Sequence, residues 1–221
     1  MNFEIGNIYH VYNQGNNRRI VFHSRNHYEY FIKKIRLYIL PYADILAWCL
    51  MPNHFHLLIY VRNIHVSYML GQDFKILLNR GENITQGITN SRTLSIPEVK
   101  NIILNDSIGI MLRSYTRAVN KEKGWSGSIF RKYTKAINLT SQDGITPAWF
   151  TENGITKIQV EGPQEQYLQI CFDYIHNNPV RHEYAYHPED WKYSSYGDYS
   201  CKGRISIVNK TLADEFGLNI Q

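Results

Sequence analysis

The stretch that most constrains the fold is Trp48 to Ile59, WCLMPNHFHLLI, an apolar run interrupted by His54 and His56 on either side of Phe55. In an extended strand, residues two apart share a face, so both imidazoles project one way and Phe55 points the other, into whatever packs behind. A strand gains nothing from two polar rings side by side, because Val or Ile would pack there without desolvation. The pair is therefore either a metal-binding surface or two half-buried histidines satisfied by local hydrogen bonds. The triplet alone does not choose between them.

The flanking pattern supplies an architecture. NIYHVYN (7 to 13) reads as a strand ending in the polar turn QGNNRR, where Gly15 and its neighbouring amides favour a tight bend. From Asn26 to Leu40 the apolar positions Tyr30, Phe31, Ile35, Tyr38 and Ile39 recur at helical spacing, and Pro41 closes the segment. Ala43 to Leu50 and Asn53 to Val61 then form two strands joined at Met51-Pro52, a link short enough to imply an antiparallel hairpin.

Residues 65 to 80 carry a helical stripe of Met69, Leu70, Phe74, Leu77 and Leu78. A Gly-, Asn-, Thr- and Ser-rich insertion at 81–98 follows, then a long helical pattern from Val99 to Lys123 with a break expected near Ser107 to Gly109. Residues 127 to 137 read as a strand or extended pair, 139–163 as a second polar insertion, and Gln164 to Asn177 as a helix that stops before Pro179. The tail HPEDWKYSSYGDYS is aromatic and irregular, and Trp191, Tyr193 and Tyr196 in it either pack onto the core or stack on a base. We read 1–221 as one domain carrying these two insertions.

Composition limits the function classes. With 43% hydrophobic and 19% charged residues the chain is ordinary globular material, and no stretch approaches the roughly 20 apolar residues of a membrane span. Cys49, Cys171 and Cys201 are odd in number and far apart, which suggests reduced thiols rather than a zinc or redox motif. Without a secretory signal pattern at MNFEIGNIYHVYNQ, a cytoplasmic location is expected. The 17 tyrosines and a net charge of +5 suit a polyanion with bases that can stack, meaning single-stranded or locally melted nucleic acid.

Two neutral imidazoles hold a divalent cation while leaving most of its coordination sphere open. With a phosphodiester as substrate, such a cation would hold the scissile phosphate and neutralise charge that builds in the transition state. The missing part is a nucleophile. Tyr115 is the candidate, on a basic helical segment with Arg113, Arg117 and Lys121, where only Glu122 opposes the cations. A phenol titrates near 10, so attack at neutral pH needs help from a metal or a base. Packing among the many other tyrosines is the competing role.

Five blocks in order, YHVYNQGNNR (9 to 18), ILAWCLMPNHFHLLI (45 to 59), SYTRAVNKEKGWSGSIF (114 to 130), YIHNNPVRHEY (174 to 184) and WKYSSYGDY (191 to 199), resemble the single-tyrosine HUH transposases, IS200-like, and most closely the REP-associated tyrosine transposases. The resemblance implies an α+β fold: a ferredoxin-like antiparallel sheet with helices on one face, plus the polar insertions and a C-terminal helical extension. It implies His54 and His56 as ligands of Mg²⁺ or Mn²⁺, Tyr115 as nucleophile, and a 5′-phosphotyrosine intermediate on single-stranded DNA bearing a hairpin. It is compatible with a homodimer.

The chain departs from the pattern in one informative way. Several relatives supply a third ligand from a Gln or Asn four residues after the tyrosine, whereas four residues after Tyr115 stands Val119. Asn120 takes the expected place, although five residues is a rotation of roughly 140° on an ideal helix. Water is the alternative. Arg18, Arg19, Arg131 and Lys132 join Arg113, Arg117 and Lys121 as expected DNA contacts, and His10 on the first strand neighbours the histidine strand as support or as packing. The rival readings are a hairpin DNA or RNA binder of the same fold that does not cleave, and a nuclease in which water attacks.

Overall fold

A computed structural model of the chain describes residues 1–69, 99–140, 164–200 and 206–220. Its centre is an antiparallel sheet of β1 (Ile8–Gln14), β2 (Ala43–Met51), β3 (His54–Val61) and β6 (Lys135–Asn138), in the spatial order β2-β3-β1-β6. A helix, α1 (Arg25–Tyr38), links β1 to β2, and a second, α2 (Leu104–Lys123), lies between the β2-β3 hairpin and β6. This is the twice-split βαβ arrangement of a ferredoxin-like α+β fold, as the family resemblance implied. Between β3 and α2 a separate two-stranded ribbon forms, β4 (His65–Met69) against β5 (Val99–Ile103), with His65 opposite Ile103.

Strict alternation along the sheet sorts side chains into two cores. Phe55, Leu57, Ile59 and Val61 of β3 join Tyr9 and Val11 of β1 in one core, closed by Phe31 and Ile35 of α1 and by Ile108, Met111, Tyr115 and Val119 of α2. Leu58 of β3 and Ile8 of β1 face the other way. There they meet Leu168, Cys171, Phe172 and Ile175 of α3 (Gln164–Arg181), with Ala213 of α5 (Lys210–Glu215) and Leu218 closing the edge. A bulge between Ile45 and Ala47 changes the phase of β2, so that Ile45 and Trp48 both reach the first core while Leu46 and Ala47 reach the second. A short helix, α4 (Tyr196–Ser200), precedes α5.

Four sequence expectations are corrected. Residues 65 to 69 are a strand and not the start of a helix: His65 and Val66 pair in the ladder with Ile103 and Ile102, and the β-branched Val66, Ile102 and Ile103 favour the extended form. The helical pattern expected from Val99 starts only at Leu104, and it runs unbroken through Ser107, whose buried hydroxyl donates to the Tyr38 carbonyl at 2.7 Å. Of residues 127 to 137, only Lys135 onward enters a strand, with Phe130 making an isolated bridge to Gly15. Finally, α3 passes through Pro179 to Arg181, since a proline in the last turn removes a single backbone bond. Helices cover both faces of the sheet: α1 and α2 lie on one, and the C-terminal extension wraps onto the other. The insertion at 81–98 and nearly all of 139–163 lie outside the described residues.

The aromatic tail packs. Tyr193 stacks on Tyr28 with ring centroids 3.7 Å apart, and the Trp191 indole donates to the Leu50 carbonyl at 3.1 Å. Among the described residues no helix is long and apolar enough to cross a membrane.

Candidate functional site

His54 and His56 share the β3 face turned toward α3, with ring centroids 4.9 Å apart. The β1 pairing sets Gln14 opposite His54 and Tyr12 opposite His56. His10, two residues before Tyr12, lies on the same face, and its Nε2 is 2.8 Å from Nδ1 of His56. With the shared proton on His56 Nδ1, the opposite nitrogen, Nε2, keeps a lone pair; this atom is buried and meets no hydrogen-bond partner among the described residues. Removal from water keeps His56 neutral, well below the ordinary imidazole range, helped by the neighbouring His54, His10 and His182.

The donor set at His54 is more telling. Its Nδ1 lies 2.6 Å from Asn53 Oδ1 and its Nε2 lies 3.0 Å from Asn178 Oδ1. A neutral imidazole has one N–H, and desolvation holds this one neutral with a pKa down to about 4 despite the pull of Asn178. With that proton given to Asn53, two acceptors face each other at His54 Nε2 and Asn178 Oδ1. Either the Asn178 amide turns to donate or a cation sits against both lone pairs. Together with the bare Nε2 of His56, the site offers a nitrogen, nitrogen and amide-oxygen set that fits a hard or borderline divalent ion with open positions. Among the described residues no group of three or more His, Cys, Asp or Glu is placed to hold a metal ion, so Asn178 would be the third protein donor.

His54 and His56 floor a cavity of about 540 Å³ whose walls include Tyr12, Tyr174, Arg18, Arg131 and Lys135, with His182 at the α3 end. The Tyr174 ring meets His56 edge-on at 5.4 Å, and the Arg181 guanidinium lies over it at 5.2 Å. Burial raises the Tyr174 phenol, while Asn178 and Arg181 pull it back toward ionisation.

Tyr115 is elsewhere. Its side chain is fully buried in the core behind Phe55, on the opposite face of the sheet, ringed by Phe31 at 5.1 Å and Phe22 at 5.6 Å. Its hydroxyl donates to the Val21 carbonyl at 2.8 Å, and burial pushes the phenol well above its ordinary range. Tyr115, the expected nucleophile, therefore does not face the histidines in this structure: in the β3 alternation Tyr115 belongs with Phe55, and the histidines belong with α3. Asn120, expected as a third ligand, is engaged elsewhere as well. Its side chain donates to the Gly127 carbonyl at 2.8 Å and its own carbonyl receives the Gly124 and Trp125 N–H groups, so it fastens the end of α2.

The expected DNA contacts divide. Arg18 and Arg131 line the histidine cavity. Lys132 lies over Tyr133, a lining residue, at 5.1 Å, whereas Arg19 lies over Trp125 at 5.0 Å and does not line the cavity. Arg113, Arg117 and Lys121 are exposed on α2, the layer behind the sheet, and the structure does not bring them to the cavity. Sequence reading missed Tyr174 and Asn178, although the signal was present: Asn178 follows Tyr174 by four residues, the spacing absent after Tyr115.

No sequence-family profile and no curated protein sequence matches the chain. A solved structure does: a REP-associated tyrosine transposase bound to a REP hairpin, 14% identical, with a TM-score of 0.51 over 94% of this chain and 87% of that one. At that identity the likeness is one of fold.

Proposed function

We propose that this protein cleaves and rejoins single-stranded DNA at hairpin-marked sites, with Tyr174 as the attacking group. The observation that carries the reading is the placement of Tyr174 against His56 in a basic cavity, one helical turn before the asparagine that meets His54. The ferredoxin-like fold shared with a hairpin-bound tyrosine transposase supports the choice of DNA as substrate.

In the reaction, the Tyr174 oxygen bonds to phosphorus as the bond from phosphorus to the 3′ oxygen breaks. The product is a 5′-phosphotyrosine, and the phenolic proton is lost as the 3′ oxygen takes one up. Religation reverses these bonds with another 3′-hydroxyl. Arg18, Arg131 and Lys135 hold the backbone, and Asn178 and Arg181 favour the ionised phenol against its burial. A divalent ion, Mg²⁺ or Mn²⁺, held by His54, His56 and Asn178, would supply charge neutralisation at the phosphate oxygens.

An oligonucleotide bearing a hairpin and a single-stranded flank, incubated with Mn²⁺, tests this. The parent protein and Tyr115→Phe should form a covalent adduct resistant to denaturant, and Tyr174→Phe should bind the DNA without forming one. An adduct that persists in Tyr174→Phe overturns the assignment. Burial raises the Tyr174 phenol and so opposes its ionisation, which favours a second reading, a hairpin binder that does not cleave. It predicts binding with no adduct for the parent under any metal.

A further inference from the structure

We infer that the mouth of the histidine cavity is a nucleobase site, in which Tyr133 and Tyr184 are stacking platforms for unpaired bases flanking the reacting phosphate. The inference rests on the proposed action on single-stranded DNA and names what that site recognises next to the phosphate. A cavity of about 540 Å³ has room for more than a phosphate group, since pockets that hold whole small molecules run from about 300 to 1,000 Å³.

Both tyrosines line it, and both leave large rings in water, with 68% of Tyr133 and 51% of Tyr184 exposed. The side chains sit on independent supports. Tyr133 follows Arg131, whose N–H donates to the Gln14 carbonyl at 2.8 Å and whose carbonyl accepts from the Asn13 amide at 3.2 Å. The Lys132 ammonium lies 5.1 Å over one face of the Tyr133 ring and adds a cation at the cavity mouth that can meet backbone phosphate.

Tyr184 is aimed by the end of α3. The Tyr184 N–H donates to the Pro179 carbonyl and the Glu183 N–H to the Val180 carbonyl, which turns the chain sharply with Glu183 in the left-handed region at φ 60°. Asn17 and Arg18, at φ 52° and 58°, are the other described non-glycine residues in that region, and Arg18 lines the same cavity. Unfavourable backbone thus gathers around one opening, as expected where geometry serves a ligand. An aromatic face takes any base, so the site selects an unpaired base over a paired one rather than one sequence.

The test measures equilibrium binding of hairpin oligonucleotides whose single-stranded flank carries 2-aminopurine, or an abasic residue, beside the hairpin. Parent protein should quench the 2-aminopurine and bind the abasic flank more weakly. Tyr133→Ala and Tyr184→Ala should each weaken binding of the base-bearing flank about 5- to 100-fold while leaving the abasic flank nearly unchanged. Tyr133→Phe and Tyr184→Phe should bind as the parent does. Alanine variants that bind the base-bearing flank as tightly as parent, or phenylalanine variants that lose as much as alanine, overturn the inference. Adduct assays on the same proteins separate the two readings. Base discrimination without any adduct removes strand transfer and keeps the base site; undiminished adduct without base discrimination does the reverse.

Discussion

His10 holds His56 from behind: His10 Nε2 and His56 Nδ1 are 2.8 Å apart, with rings nearly parallel at 24° and centroids 5.0 Å apart. Both rings are buried, and desolvation keeps His10 neutral with a pKa lowered to about 3. With the shared proton on His56 Nδ1, His10 is its acceptor and fixes the tautomer that leaves Nε2 of His56 with its lone pair. Replacing it with Phe should weaken Mn²⁺ binding about 10- to 100-fold while the chain still unfolds cooperatively, the usual cost of removing a partner behind a metal ligand. Titration calorimetry with Mn²⁺ on folded His10→Phe checks this, and His10→Gln, which keeps an acceptor, should lose less.

Tyr115→Phe should cost about 1 kcal/mol of stability and leave DNA chemistry unchanged, because it strips only the hydrogen bond to the buried Val21 carbonyl. Tyr115→Ala should cost about 3–5 kcal/mol, since the ring fills the space between Phe31, Phe22 and Phe130. Urea unfolding of both variants measures these losses. An adduct defect in a fully folded Tyr115→Phe would reinstate the sequence assignment.

That contrast shows what the sequence could reveal. The period of two in NHFHLLI determined that His54 and His56 share a face, and hairpin and helix signals before it led to the right sheet. Which helix covers that face is a tertiary fact: both α2 and α3 carry a tyrosine on an amphipathic pattern, and local periodicity says nothing about the side of the sheet each one reaches. The basic run around Tyr115 drew attention to α2, yet Arg113 and Arg117 are simply its solvated side. The spacing from Tyr174 to Asn178, which the structure sets beside the histidines, is hidden because Asn178 before Pro179 also reads as a helix stop. His65 and Val66 looked helical for a related reason, their strand partners being more than thirty residues away in sequence.

Gly15→Ala should destabilise the chain by about 1–3 kcal/mol, the range for forced overpacking. A Cβ there would stand 2.2 Å from the Arg19 carbonyl oxygen and 3.0 Å from Val21, and backbone cannot move aside as a side chain can. The same turn carries Arg18 into the cavity, so DNA affinity should fall with stability. Thermal melting and flank binding on Gly15→Ala would read both effects; unchanged values would mean that the turn tolerates the methyl group and does not position Arg18.

Stability should fall as the solution is acidified from pH 7 to 4, and buried histidines set that slope. Desolvation lowers His10 and His176 to about 3 and His54 to about 4, against 6.5 for a free imidazole. Between the two values the unfolded chain binds protons that the folded chain refuses. Their contribution is therefore intact above about pH 6.5 and declines as pH drops toward the folded value, by up to about 1.4 kcal/mol per pH unit for each ring. His176 isolates the effect because it stands apart from the proposed metal donors, with Nε2 2.7 Å from the buried Ser195 hydroxyl. His176→Gln should unfold at lower urea at neutral pH, yet its stability should change less steeply between pH 6 and 5, by about one proton's worth. Urea midpoints for parent and variant at pH 7.5, 6 and 5 give the two slopes, and equal slopes would show that His176 takes up its proton without unfolding.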